Sequence, residues 1–342
     1  MGIMKVGSKI IGDGRQPLMI AEEGQANQGN FDMAINMCEL AAKSGADGIE
    51  FQLFFAKDMY IPDDKGYAIY KKRELAISQI KELIDIAHSY SLIFQVAGLS
   101  PEVIEKCATL GADVFIVNAT DLTNPIIIDA VVETGKPFFL ATLMGSMEEI
   151  DWAVDYALKK SSSSNIGILH GQHVMSSDKG NGVPVDLLQL DCIQDFKNRY
   201  GLVTGFVDHT DTKYTPALAV SKGADLITKH LFPDKSWRGP DWFVCLDPED
   251  WHTAREIFQY AFDAQGSSKE ISQAELKDRS LHRRSIYTNK FLQSGDILSD
   301  KDIVMLRPGL GGIDPREVSN LIGRTINKDL GKYHQLKMID IS

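Results

Sequence analysis

AAKSGADGIEFQ (41–52), CATLGADVFIVN (107–118) and AVSKGADLITKH (219–230) repeat one grammar. In each, an apolar helical pattern stops at a glycine (Gly45, Gly111 or Gly223), and an Ala-Asp pair leads into a short β-rich run. Glycine suits a left-handed helix C-cap, and the apolar run after it suits a parallel strand buried on both faces. Working outward, strands of the same kind are expected at 18–21, 92–97, 137–142, 166–170 and 202–208. With the three repeats these make eight, alternating with helices over roughly 260 residues, and they predict an α/β fold: a (β/α)8 TIM barrel rather than an open doubly wound sheet. No GxGxxG follows the first strand, which argues against dinucleotide binding.

The alternation stops near residue 265. Gln265-Gly266-Ser267-Ser268 and the charged segment up to Arg284 read as a linker, and from Ser285 the texture changes to short segments. The expected division is a catalytic barrel over 1–265, a linker over 266–284 and a small, mostly β domain over 285–342. So short a domain is small for an independent core and feasible if it docks on another surface.

The 342 residues carry 36 Lys+Arg against 47 Asp+Glu, a net charge of −11. That balance argues against nucleic acid as a partner, because a phosphate backbone needs a basic surface. A small anionic substrate answers to local charge only and stays open. Cys38, Cys107, Cys192 and Cys245 form no CxxC pair and read as the reduced thiols of a cytoplasmic protein. MGIMKVGSKI has no secretory-signal pattern, and no apolar run approaches the ~20 residues of a membrane span.

A barrel of this type carries its site at the C-terminal ends of the strands. Those ends offer Glu22 and Glu23, Glu50 and Gln52, Asn118 and Thr120, Thr142, His170 and His173, Asp208 and His209, and His230. A lone strand-end histidine is usually structural. His209 and His230, however, belong to the seventh and eighth units and are neighbours around the rim, where neutral imidazoles can share a divalent cation with Asp208 or Glu22 as an oxygen partner. Just beyond, Trp237-Arg238-Gly239-Pro240-Asp241 is a turn signal. If that loop covers the mouth, Asp241 can accept substrate hydroxyls and Arg238 can meet an anion.

The same residues carry a family resemblance. IAEEGQANQGNFDMAINMCELAAKSGADGIEFQ (20–52) resembles the opening of the sialic acid synthases, with its Ala-Glu-x-Gly-x-Asn-His-x-Gly pattern and Lys-x-Gln strand end. GFVDHTD (205–211) is similar to their Ser-Asp-His-Thr segment, and TKHLFPDKSWRGPDW (228–242) to their Glu-Lys-His-Phe and Gly-Pro-Asp segments. From Ser285 through VMLRPGLGG to LGKYHQL, the tail is similar to the antifreeze-like (SAF) domain that closes these enzymes. The resemblance implies a homodimeric enzyme that condenses phosphoenolpyruvate with N-acetylmannosamine or a related aldose, giving a nine-carbon 2-keto sugar acid with a divalent metal, usually manganese. It further implies His209 and His230 as metal ligands, Glu22 and Asp241 on the sugar, and Arg307 arriving from the partner subunit, whose tail covers the site.

The departures from the family pattern cluster. Glu50-Phe51-Gln52 stands for Lys-x-Gln, Ala97-Gly98-Leu99 for Thr-Pro-Phe, and Phe115 to Thr120 for Lys-Ile-x-Ser-x-Glu. His173 and Met175 replace an asparagine and a tyrosine, and Val207 replaces a serine. Most of these positions cradle phosphoenolpyruvate in the family, so an altered donor pocket is expected. The cations left to serve it are Lys57, Lys179, Lys229, Arg238 and Arg307. Gln52, Asn118 and Thr120 are the expected substrate contacts; Glu22, Glu50, His173 and Asp208 are the expected catalytic groups. Two other readings use the same residues: a metal-dependent sugar-acid aldolase or isomerase that does not use phosphoenolpyruvate, motivated by Glu50 and His173, and a non-catalytic sugar-binding relative.

Overall fold

The computed structural model describes the chain apart from Met1, Met175, Asp178, Lys179, Lys235 and Ser267, and describes the backbone alone at Ser176, Ser177 and Gly180. The chain divides into two units, Met1–Gln265 and Gly266–Ser342. The first opens with an antiparallel hairpin of β1 (Ile3–Val6) and β2 (Lys9–Gly12). Six parallel strands follow: β3 (Leu18–Glu22), β4 (Gly48–Leu53), β5 (Ile93–Gly98), β6 (Val114–Val117), β7 (Phe138–Ala141) and β8 (Ile166–Gly171). After a two-residue ladder of β9 (Ser176–Ser177) with β10 (Gly180–Asn181), β11 (Val203–Asp208) and β12 (Leu226–His230) complete a closed barrel of eight, β12 pairing back onto β3. These are the eight strands expected from the sequence. Gly45, Gly111 and Gly223 all end their helices at positive φ, as the repeated grammar requires.

Strand periodicity sorts the barrel side chains into two layers. Leu18, Ile20, Ile93, Ala97, Val114, Ile116, Phe139, Leu169, Val203 and Leu226 fall in one buried cluster, which fills the lumen. The alternate residues, among them Ile49, Phe51, Phe94, Val96, Phe115, Val117, Phe138, Ile168, Phe206 and Ile227, pack in the larger cluster beneath the helices. Each helix buries one stripe on that layer. The helix Phe31–Lys43, capped by Asn30 accepting from the Met33 N–H, buries Ala34, Met37, Cys38 and Ala41 at helical spacing.

The hairpin stands outside the repeated grammar and was not among the elements expected from the sequence. Met4, Val6 and Ile11 are fully buried and join the lumen cluster beside the first residues of the strands. The hairpin therefore stoppers the N-terminal end of the barrel and leaves the C-terminal end as the mouth. Its signal was present in the two-residue Gly7-Ser8 turn between alternating apolar positions.

In the second unit, the segment expected as linker holds an exposed helix, Gln273–His282, started by a Ser272/Glu275 capping box. β13 (Ser285–Thr288) pairs antiparallel with β14 (Ile303–Leu306), and single bridges such as Leu292 with Leu330 pin the remaining loops. Ile286, Leu292, Leu298, Ile313, Leu321, Ile326, Leu330, Leu336 and Ile341 form its own core. Among the described residues, no helix is long and apolar enough to cross a membrane.

Candidate metal centre

Strand register builds one polar layer at the top of the lumen. His230 on β12 is opposite Glu22 on β3, Glu22 opposite Glu50 on β4, and Glu50 opposite Gln95 on β5. By the two-residue alternation all four point into the barrel, and all are buried. Gln95 donates to Glu50 at 2.7 Å, and Gln52, two residues above Glu50, donates to Glu22 at 3.0 Å. His209 follows the end of β11. Its ring centroid lies 5.2 Å from that of His230 and 5.3 Å from that of His173, so three imidazoles stand in a row along the rim.

Glu22, His209 and His230 each offer a ligand atom within 4.8 Å of the others, and the Glu22 carboxylate lies 3.6 Å from His230 Nε2. Both ring nitrogens of His230 and Nδ1 of His209 are buried without a hydrogen-bond partner. Such orphans cost roughly 1–3 kcal/mol each, and a bound cation would satisfy the lone-pair nitrogen of each ring. Burial pushes His230 down to about 4; burial, His230 and His173 together push His209 well below the usual imidazole range. Both rings are therefore neutral at pH 7, the form that ligates a metal. Two imidazoles and a carboxylate are a donor set suited to a divalent first-row cation. Burial pushes Glu22 up to about 7, against the Gln52 hydrogen bond and the His173 field. Glu50, equally buried and facing Glu22, is pushed well above the usual carboxylate range by burial and by the Glu22 charge, against the Gln95 hydrogen bond.

The loop after β3 closes tightly on this cluster. A Cβ on Gly24, whose φ is +55°, would stand 2.5 Å from His230 Nδ1, so only glycine fits there. Glu23 turns away from the lumen and organises the loop, accepting from the backbone N–H groups of Gln25 and Asn27 and from the Asn27 amide.

The other expected residues fall elsewhere. Asp208 has the outward parity of Phe206. Its carboxylate accepts from the Thr210 N–H at 2.8 Å and lies 3.3 Å from Lys229 Nζ, both side chains fully buried behind the barrel wall. The expected oxygen ligand on this side of the site is thus Glu22 and not Asp208, and Lys229, held by Asp208 and the Thr210 carbonyl, is no substrate cation. Phe115 likewise faces the helices; the residues that β6 turns into the lumen are its neighbours Val114 and Ile116, which corrects the place given to Phe115 in a donor pocket. His170 is also outward, its ring against Phe196 and Phe206 and its Nε2 at 3.0 Å from the Leu188 carbonyl. Asn118 and Thr120 bond each other, the Asn118 carbonyl capping the turn Ala119–Asp121. Asp241 is left-handed, φ +55°, and its charge acts on His230; Arg238 stacks on the Trp242 ring at 4.2 Å. Lys57 is exposed and pairs with Glu102, Lys179 and Met175 lie outside the described residues, and Arg307 is an exposed residue of the second unit.

Missed by the sequence reading were Gln95, Gln25 and Arg73. Gln95 carried a signal, a polar residue at lumen parity inside an apolar strand. Arg73 carried none, because it belongs to a segment between β4 and β5 that no strand-end argument reaches.

A model of the NeuB family matches residues 37–270. The chain belongs to the NeuB family. This NeuB-family chain is 29% identical over 327 residues to an uncharacterised protein of Methanocaldococcus jannaschii, covering 95% of each. It is also 29% identical to the N,N'-diacetyllegionaminic acid synthase of Legionella pneumophila, over 95% of this chain and 94% of that one. Among solved structures, the N-acetylneuraminic acid synthetase of Leptospira borgpetersenii, in complex with citrate, superposes with a TM-score of 0.74 at 22% identity. The match covers 81% of this chain and 94% of that one, a likeness of fold.

Proposed function

We propose that this NeuB-family chain condenses phosphoenolpyruvate with an N-acylhexosamine-type aldose and water: the enol carbon bonds to the aldehyde carbon, water adds at C2, and phosphate leaves with its bridging oxygen, giving a nine-carbon 2-keto sugar acid. The observation that carries the reading is the buried Glu22–His209–His230 cluster with its orphaned nitrogens at the strand-end mouth. A divalent cation there, proposed to be Mn2+, would polarise the open-chain aldehyde of the acceptor. Gln52 and Glu50 line the same mouth and are proposed to hydrogen-bond sugar hydroxyls, while Asp241, Asn118, Thr120 and Arg238, which stand outside that lumen layer, are proposed as contacts to more distant parts of the substrate. The second unit is proposed to be the antifreeze-like domain, bringing Arg307 over the site of the partner in a homodimer. Synthases of N,N'-diacetyllegionaminic acid, pseudaminic acid and N-acetylneuraminate 9-phosphate among the relatives support an acylamino sugar as the acceptor. The test is Mn2+-dependent phosphate release from phosphoenolpyruvate with a panel of acylamino-hexoses; no release with any of them removes the proposal.

Glu50 in the same lumen layer as Glu22, with His173 beside His209, favours one alternative: a metal-dependent sugar-acid aldolase or isomerase without phosphoenolpyruvate. Under that reading Glu50→Lys abolishes turnover; under the synthase reading it preserves or improves it.

A further inference from the structure

Arg73 sits one residue before Glu74 in the segment between β4 and β5, its guanidinium over the Tyr70 ring at 5.4 Å. Tyr70 is itself packed against Tyr60 and Phe54 at 5.0 and 5.1 Å, so the cation rests on a fixed aromatic platform. The loop after β3 is pressed onto the same segment, since a Cβ on Gly29 would meet the Lys72 carbonyl at 2.1 Å. That approach brings Gln25 to Arg73. Nη1 of Arg73 donates to Gln25 Oε1 at 2.9 Å, Gln25 Nε2 donates to Gln52 Oε1 at 2.9 Å, and Gln52 Nε2 donates to Glu22 Oε1 at 3.0 Å. Among the described residues no carboxylate lies within ion-pair distance of Arg73.

We propose that Arg73 is a positioning residue for the cation site, fixing through Gln25 and Gln52 the orientation in which Glu22 presents its second oxygen beside His230. The inference rests on the metal reading of the cluster and extends it. A guanidinium has no acceptor, so Gln25 must turn its carbonyl to Arg73 and its NH2 onward. Gln52 must then do the same, and the NH2 that reaches Glu22 can only donate. The ionised Glu22 carboxylate, which only accepts, demands the same polarity from the other end, so the chain is pinned at both ends by groups of opposite character. Without Arg73 the Gln25 carbonyl loses its fixed donor, and the two amides and the Glu22 carboxylate they hold are anchored from the lumen side alone. Glu22 Oε1 is occupied, and Oε2, 3.6 Å from His230 Nε2, is the oxygen turned to the cation.

The test is Mn2+ binding to the full-length protein without substrates, read by the free-Mn2+ electron paramagnetic resonance signal and by calorimetry. Loss of partners that orient metal ligands costs ~10–100-fold in affinity, and that range is expected for Arg73→Met, with Arg73→Lys recovering most of it because an ammonium also only donates. Gln25→Met is expected to weaken binding similarly, and the double variant no more than either single one, since one chain is cut in each case. If Arg73→Met does not fold, Gln25→Met alone decides. Unchanged Mn2+ affinity in the folded variants, additive effects in the double variant, or no Mn2+ binding by the unaltered protein each overturn the proposal. A protein that binds Mn2+ with the expected variant pattern yet releases no phosphate from phosphoenolpyruvate removes the synthase reading and leaves the relay standing.

Discussion

Gly24 holds the most constrained position next to the site, because its left-handed backbone and the His230 ring leave no room for a Cβ. Gly24→Ala is expected to push the His230 ring aside and weaken Mn2+ binding by ~10-fold or more, measured by calorimetry, while the barrel stays folded. Phe115 makes the opposite case. As an outer-layer core residue, its replacement by alanine is expected to cost ~3–5 kcal/mol in urea unfolding and to leave kcat per folded molecule unchanged. Residues such as Glu22, His209, His230 and Gln52 were legible because each lies at or beside the C-terminal end of an apolar strand. Asp208 and Phe115 were misread because the choice between lumen and outer layer turns on a single residue of register, which motif alignment does not resolve. The Asp208–Lys229 pair carries its own expectation. Lys229→Met strands a buried carboxylate and costs ~3–5 kcal/mol, whereas the double change Asp208→Asn with Lys229→Met recovers part of the loss in the same assay.

At the scale of elements, the second unit depends on two buried carboxylates. Asp302 accepts from Ser299 and pairs with Lys290 at 2.7 Å; Asp340 pairs with Lys328 at 2.7 Å and with His334 at 3.0 Å. Burial opposes each charge, but these partners outweigh it and hold both acids below the ordinary value of 3.8. An acid lowered on folding stabilises the folded form above its unfolded pKa and loses that contribution as pH falls through the folded one. The unit is therefore expected to hold its stability down to about pH 4 and to lose it below. Asp302→Asn should flatten part of that acid transition, followed by amide resonances of 285–342 in the full chain. The elements themselves were visible in the sequence wherever apolar runs followed glycine caps. The stopper hairpin lies outside that grammar, and its one signal is the short Gly7-Ser8 turn between two four-residue strands.

For the whole molecule, the barrel was legible because its grammar repeats; the assembly was not, because nothing in a single chain's pattern distinguishes a surface that docks from one that is solvated. The proposed homodimer predicts a species of twice 37.9 kDa by light scattering. It also predicts complementation: mixing inactive His230→Ala with inactive Arg307→Ala subunits should restore activity, since some mixed dimers assemble one intact site from two chains. Two inactive pools that stay inactive after subunit exchange would show that Arg307 does not act across the dimer.

The layer His230–Glu22–Glu50–Gln95 straddles the seam where the last strand of the ring meets the first. A growing polypeptide emerging from the ribosome thus carries Glu22 for some two hundred residues before His230 exists, and the proposed chelating pocket cannot precede ring closure. Under the proposed metal reading, cation uptake would report that the ring has closed, and a truncated or half-closed cylinder is expected to bind no Mn2+ even when most of its staves are in place.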